Sequence, residues 1–380
     1  MLRYLTAGES HGKCLMGIIE GFPANVPIDI EMVNTDLRRR QKGYGRGGRM
    51  EIEKDEIEIL SGVRGGKTLG SPIAFRIANR DYENWERYMN PLEVDVEGRK
   101  VTKPRPGHGD LAGAIKYGFH DIRNVLERSS ARETAVRTAI GSIAKQLLLI
   151  FGIAGVSHVT AIGGVSLREK IEDFERLKMA EQSSVHCVDP LVEQKMIQEI
   201  ERAKSTGDSL GGVFEIHIKG APVGLGSYVH WDRKLDARLA QGLMSIQGIK
   251  GIEVGWGFVG ASLQGSQVHD EIFYNANTGY YRESNRAGGI EGGMSNGENI
   301  VLRCAMKPIP TLYKPLKSVD IETKEPFVAS VERSDTCAVP SAAIVGEMVA
   351  LTIIAEEFLK KFGGDSLEEI EERWKNYKSI

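Results

Sequence analysis

Two histidines stand in short glycine turns, Gly8-Glu9-Ser10-His11-Gly12 and Gly107-His108-Gly109-Asp110, and a carboxylate stands beside a cation in Arg333-Ser334-Asp335. Histidine has an unperturbed pKa of about 6.5, so it can give or take a proton near neutrality. A carboxylate next to an arginine can be tuned as a base. Singly, each has a plainer reading, a surface turn or a structural ion pair. Arginines gather on the same kind of segment. Arg38-Arg39-Arg40 leads into Lys42-Gly43-Tyr44-Gly45-Arg46-Gly47-Gly48-Arg49, Arg105 lies between two prolines, and Arg128 and Arg132 flank Ser129-Ser130. Together these residue types supply proton transfer and stabilisation of a departing anion. The chain shows neither a nucleophile elbow nor metal-ligand spacing.

The elements that must hold these groups can be read from hydrophobic period. Val136, Ile140, Ile143 and Leu147 recur at three- and four-residue spacing, which predicts a long helix from about Arg132 to Gly152. Ser130 followed by Glu133 reads as a capping box at its start, where free N–H groups and the helix dipole favour an anion. A helix over 29–41 ends in three arginines, and a second long helix, Ser341 to Lys360, is apolar nearly all round and so belongs in the interior. The tail from Ser366 reads as a surface helix. Strands are expected at Cys14–Ile19, Ile73–Ile77, Gly212–Lys219, Gly251–Leu263 and Asn299–Met306. Strand, Gly-x-Pro turn and helix occur in that order around Gly21-Phe22-Pro23 and again around Gly220-Ala221-Pro222, a sign of an internal repeat over roughly 1–150 and 210–360. Between the last two strands, the glycine-rich loop Asn285–Gly297 suggests a flat ring or phosphate against the backbone. Two motif matches fail on context. GYGRGG follows a helix rather than a strand, and GVRGGKT is one residue short of a phosphate loop.

A net charge of −3 over 380 residues excludes a polyelectrolyte that binds nucleic acid along its whole surface. Four scattered cysteines suit a reducing compartment, and no apolar run reaches the roughly 18 residues of a membrane span. A cytoplasmic protein of one domain is expected.

The blocks GESHG, GHGD with RSSARETA, and RSDTCAVPSAAIVGE, together with LRRRQKGYGRGGRM and NRAGGIEGGMSNGENI, closely resemble the chorismate synthase family from end to end. The resemblance implies an α+β fold: a β-α-β sandwich of two antiparallel sheets around core helices, assembled as a homotetramer. It implies a 1,4-anti elimination of phosphate from 5-enolpyruvylshikimate 3-phosphate, with reduced FMN and no net redox change. Carried over by motif, His11 would protonate reduced flavin near N1, His108 would protonate or hold the departing phosphate, and Asp335 would act with flavin N5 on the C6 hydrogen. Substrate anions would fall to Arg46, Arg49, Arg105, Arg132 and Arg333, with Ser10 and Ser130 nearby. FMN contacts would come from Arg128, Ser129, Ser130, Gln247, Gly248, Gly292, Lys307, Pro308, Ile309, Pro310, Thr311 and Arg333. Arg40 and Arg46 match positions associated with NADPH, with an external flavin reductase as the alternative source of reduced flavin. The residues alone leave open a flavin-dependent reductase, or an anion- or RNA-binding protein built on the arginine arm.

Overall fold

Alternating burial defines the strands. Leu15 and Ile19 of β2 (Cys14–Glu20), Ile73, Phe75 and Ile77 of β6 (Ile73–Ala78), and Phe214, Ile216 and Ile218 of β9 (Gly212–Lys219) are all buried along one face of their strand. The computed structural model describes residues 2–47, 53–93, 99–277, 279–314, 316–328 and 335–378; Arg49 and Arg333 lie outside them.

The fold is α+β. One antiparallel sheet has the order β1-β2-β6-β3, with β1 at Arg3–Ala7 and β3 at Ile57–Ile59. The other has the order β10-β15-β9-β7-β8, with β7 at Ala154–Ile162, β8 at Val165–Ser166, β10 at Ile249–Val254 and β15 at Ile300–Met306. Short hairpins complete the strands: β4 (Val63–Arg64) with β5 (Lys67–Thr68), β11 (Ile272–Asn275) with β12 (Gly279–Arg282), β13 (Ile290–Glu291) with β14 (Met294–Ser295), and β16 (Lys317–Val319) with β17 (Pro326–Val328).

The helices are α1 (Ile30–Gln41), α2 (Asp110–Tyr117), α3 (Arg123–Ser129), α4 (Thr134–Ile150), α5 (Phe174–Lys178), α6 (Pro190–Ser205), α7 (Leu235–Met244), α8 (Val339–Phe362) and α9 (Leu367–Lys378); single helical turns are left unnumbered. The first sheet packs on α4, the second on α8, and α4 and α8 pack on each other, with α1 against both. Thr134 of α4 and Ser341 of α8 both bond Arg40, at the end of α1. At the other end Phe151 packs tilted against Phe358, with ring centroids 4.7 Å apart. The two long helices therefore run parallel and begin side by side.

Some expectations change. The strand expected to reach Leu263 ends at Val254, where Gly255 takes φ +56° and helical turns follow. The helix expected from Arg132 is split: α3 ends at Ser129, a 3₁₀ turn spans Ala131–Glu133, and α4 starts at Thr134. Only half of the capping box forms. Ser130 Oγ accepts the Arg132 N–H at 3.2 Å, whereas the Glu133 carboxylate accepts from the Thr6 hydroxyl at 3.0 Å. The tail helix is docked through Ile370, which is fully buried, and through Trp374 against Phe151, Phe358 and Phe362.

The two Gly-x-Pro turns match bond for bond. Thr68 Oγ1 donates to the Pro23 carbonyl at 2.6 Å and accepts from Val26 N–H at 3.0 Å; Ser295 Oγ donates to Pro222 at 2.5 Å and accepts from Leu225 N–H at 2.8 Å. Each of these hydroxyls lies just after a Gly-Gly turn, Gly65-Gly66 or Gly292-Gly293, whose residues all have positive φ.

Helix α4 meets α8 without a side chain between them at Gly141. A Cβ there would lie 2.3 Å from the Met348 carbonyl oxygen. Gly141→Ala is therefore expected to destabilise by about 1–3 kcal/mol or more through overpacking, read as a lower urea midpoint. An unchanged midpoint would mean that the helices can separate freely.

Candidate active site

The loop carrying His11 is fastened from two sides. Ser10 N–H donates to the Glu127 carbonyl of α3 at 2.9 Å, and Asn79 Nδ2 donates to the carbonyls of Glu9 at 3.1 Å and Gly12 at 2.7 Å. His11 Nδ1 faces the buried Glu127 carboxylate at 2.9 and 3.1 Å, and its backbone N–H donates to the same carboxylate at 2.7 Å. Its ring stacks on Trp85 at 4.1 Å between centroids. Burial pushes the Glu127 carboxyl up, but the His11 bonds and charge together with Arg123 outweigh it and hold the group below the usual carboxylate range. With Nδ1 committed to Glu127, Nε2 is the atom left to exchange a proton with a ligand.

His108 repeats the design. Its Nδ1 faces the fully buried Asp110 carboxylate, and Arg105 Nη2 donates to Nε2 at 3.2 Å. An arginine can only donate, so the partners assign the neutral tautomer with its proton on Nδ1. Arg105 also bonds Asp110 through its backbone N–H and Nε, each at 3.0 Å, and Thr311 Oγ1 at 3.1 Å. The Lys307 ammonium donates to the Gly107 carbonyl, Ser209 Oγ donates to the Ile309 carbonyl at 2.6 Å, and Pro310 lies beside Gly107. The segment Lys307-Pro308-Ile309-Pro310-Thr311 is thus laid against the His108 turn.

Asp335 accepts from Arg46 Nη1 at 2.8 Å and from Gly47 N–H at 2.6 Å, so the arginine arm folds back to the start of α8. Thr336 N–H donates to the Gly45 carbonyl at 2.8 Å and extends that seam.

Arg128 and Arg132 diverge. Arg128 is exposed and donates to the carbonyls of Thr6 at 2.8 Å and Gly8 at 3.1 Å. Arg132 is buried and donates to Asp55 Oδ1 at 2.5 Å and Asn79 Oδ1 at 3.0 Å. Arg40 is buried beside it, bonded to Asp55 at 3.2 Å and to Thr134 Oγ1 at 3.0 Å. Burial chiefly lowers the Arg40 pKa, to about 10, with Asp55 opposing and Arg132 adding to the fall.

Tyr4, Arg128, Glu133, Arg137, Ser245 and Gln247 line an open groove of about 360 Å³. The Gly248 carbonyl accepts the Lys307 N–H at 2.9 Å, which joins this groove to the His108 side. Gly292 stands apart, in the β13–β14 turn, with nothing within 4 Å of where its Cβ would be. Gly288 and Gly289 of the same loop are needed for close approach to protein backbone, at Gly255 and Asn299.

The sequence does not single out Glu127, Asp55, Asn79, Trp85 or Arg137. Asp110 alone could have been found, as the carboxylate two residues after His108 in one turn.

Two histidines each face a buried carboxylate, and arginines crowd the turns and helix starts of an α+β fold. The family model described as chorismate synthase matches residues 2–359. Chorismate synthases of Alkaliphilus metalliredigens and Alkaliphilus oremlandii are 72% and 58% identical, covering 100% and 99% of both this chain and theirs. A crystal structure of chorismate synthase is 43% identical, with a TM-score of 0.80 over 100% of this chain and 97% of that one. The chain belongs to the chorismate synthase family. These enzymes are carbon–oxygen lyases of the shikimate pathway to the aromatic amino acids. They eliminate phosphate from 5-enolpyruvylshikimate 3-phosphate to give chorismate and use reduced flavin. No helix among the described residues is long and apolar enough to cross a membrane.

Burial pushes the Asp110 carboxyl up, but bonds from His108 and Arg105 outweigh it and hold the group well below the usual carboxylate range. A depressed folded pKa gives stability that is fully present above the unfolded value, about 3.9, and is lost as pH falls through the folded one. Asp110→Asn should therefore melt below the parent protein at neutral pH, and the gap should narrow below about pH 4. Thermal melts across that range check this; a gap that stays constant would contradict it.

Proposed function

We propose that His11, His108 and Asp335 carry the family's elimination in this chain. The observation behind the reading is that each imidazole has Nδ1 turned to a buried carboxylate, which leaves Nε2 of His11 for the ligand and sets Nε2 of His108 against the Arg105 guanidinium. In the reaction the C6–H bond and the C3–O bond break, the C–H electron pair enters the new diene, and phosphate leaves with the C–O pair, so there is no net redox change. When a proton reaches His108 Nε2, the Arg105 N–H can no longer donate there. Both cations are then released toward the phosphate, which His108 protonates or holds. Arg46 and Gly47 fix both Asp335 oxygens at the start of α8, where this carboxylate acts in removal of the C6 hydrogen.

The residues present fit a flavin. Ser129 Oγ, Arg137 Nε and Gln247 Oε1 are buried polar atoms with no hydrogen-bond partner among the described residues, and Arg137 and Gln247 line the groove. We assign FMN contacts to Arg128, Ser129, Ser130, Gln247, Gly248 and Lys307–Thr311, with Gly292 and Arg333 retained on the motif match alone. Bound reduced FMN supplies transient electron density to the substrate. Ser10, Arg46, Arg49, Arg105, Arg132 and Arg333 are assigned to substrate; Arg132 acts through the loop it steadies unless the Asp55 pair opens. NADPH at Arg40 and Arg46 requires that the buried Arg40 pairing with Asp55 give way, so supply by an external reductase is the simpler source.

The same reading takes the chain as one domain, a sandwich of two sheets around the core helices, with an internal repeat. The matched Thr68 and Ser295 bonds support the repeat. So does the shared strand order, β1-β2-β6-β3 in one sheet and β7-β9-β15-β10 in the other. A homotetramer in the bacterial cytosol completes the proposal.

The test is anaerobic, with chemically reduced FMN, the enolpyruvyl ester and a phosphate-release readout. His108→Ala and Asp335→Ala should each lower kcat by about 10²–10⁴-fold while FMN affinity stays near that of the parent. Absence of phosphate release from folded parent protein would sink the reading. Loss of FMN affinity in a variant would reassign that residue to flavin binding.

A further inference from the structure

The second sheet carries a polar cluster that the elimination does not use. His158 on β7 lies directly opposite Glu215 on β9, and His217 is two residues further along β9, so all three side chains project from the same face. This face is turned away from α8: Val156, two residues before His158, packs instead with Ile171, Phe174, Leu177, Ala180 and Val188 around α5. His158 and His217 are each 1% exposed.

Hydrogen bonding accounts for only part of the cluster. Glu215 accepts from His217 and draws His158 Nε2 to 3.4 Å, whereas His158 Nδ1 is buried with no hydrogen-bond partner among the described residues, and burying an unpaired polar group is costly. Glu215 Oε2 lies 3.4 Å from His158 Nε2 and 3.3 Å from His217 Nε2, and one donor atom from each of the three residues lies within 4.8 Å of the other two. Ligands about 2.0–2.1 Å from a tetrahedral ion are separated by about 3.4 Å. Two of the three edges already have that length. The other carboxylate oxygen, Glu215 Oε1, lies 3.8 Å from Arg303 Nε, and Arg303 is held in turn by Glu253 at 3.4 Å. A partner of this kind orients a ligating carboxylate.

We infer that His158, Glu215 and His217 form a binding site for one divalent first-row transition ion of the zinc class, with water completing its coordination. Two imidazoles and one carboxylate suit such an ion, whereas calcium and magnesium call for oxygen donors throughout.

The experiment uses the full chain, stripped with a chelator and titrated with Co(II), then Zn(II). One equivalent of Co(II) should bind with the visible absorption of a four- or five-coordinate site, and Zn(II) should displace it. His158→Ala and His217→Ala, checked for folding by far-UV circular dichroism, should each weaken binding by at least about 100-fold. X-ray absorption on the zinc-loaded parent protein gives a readout independent of any variant and should show imidazole and oxygen scatterers. The inference is overturned if the parent binds no Co(II) at micromolar concentration, if the folded variants bind as tightly as the parent, or if the zinc shell contains no imidazole.

Discussion

The parallel packing of α4 on α8 is the constraint on which the site depends. Gly141 lets the two backbones touch at Met348, and both helices begin beside Arg40. Two positive helix ends therefore face the same region, a standing bias toward anions before any arginine is counted. Helix α1 arrives there with its C-terminus, the negative end of its dipole, and Arg38, Arg39 and Arg40 occupy that last turn. Helix direction and side-chain charge thus agree in making this region positive.

So much positive charge in one place would oppose folding without partners. Asp55 stands between Arg40 and Arg132 and bonds both. Further inside, the Arg39 guanidinium meets Asp36 at 2.7 Å and Glu347 at 3.0 Å, and Lys145 meets Asp36 at 3.1 Å. Buried pairs of this kind add little net stability against apolar replacements, but loss of one partner strands a charge. Their use here is positional. Asn79 passes the order of Arg132 on to the carbonyls around His11, so the histidine turn is tied to the helix start.

Local chemistry was legible in the sequence, and the partners were not. The turn histidines, the buried helix after Ser341 and the alternating strand Gly212–Lys219 announce themselves through neighbours within a few residues. Glu127 is 116 residues from His11, and Asp55 is 77 from Arg132; no spacing rule connects them. The same gap misleads about arginines. Arg128 and Arg132 share the helix start in sequence, yet a break at Ser130 turns one outward and buries the other. Glycine misleads in a second way, because close approach to protein backbone and close approach to a ligand demand the same residue. Gly288 and Gly289 serve the first.

The inferred repeat explains why the two helix starts coincide. Each half runs through two strands, a Gly-x-Pro turn, a helix, a Gly-Gly hairpin and a closing strand before its long helix, and the hydroxyls of Thr68 and Ser295 lock the two turns in the same way. Under the proposed repeat, copies related in this manner would deliver equivalent helices to equivalent places, and the starts of α4 and α8 would meet because the halves are alike. What differs is what each half adds to its start. The first adds the His11 loop and Glu127, the second Asp335 and the Lys307–Thr311 segment. An elimination that strips a proton from one carbon and phosphate from another needs unlike groups, and on the proposed reading similar backbones carrying different loops would supply them.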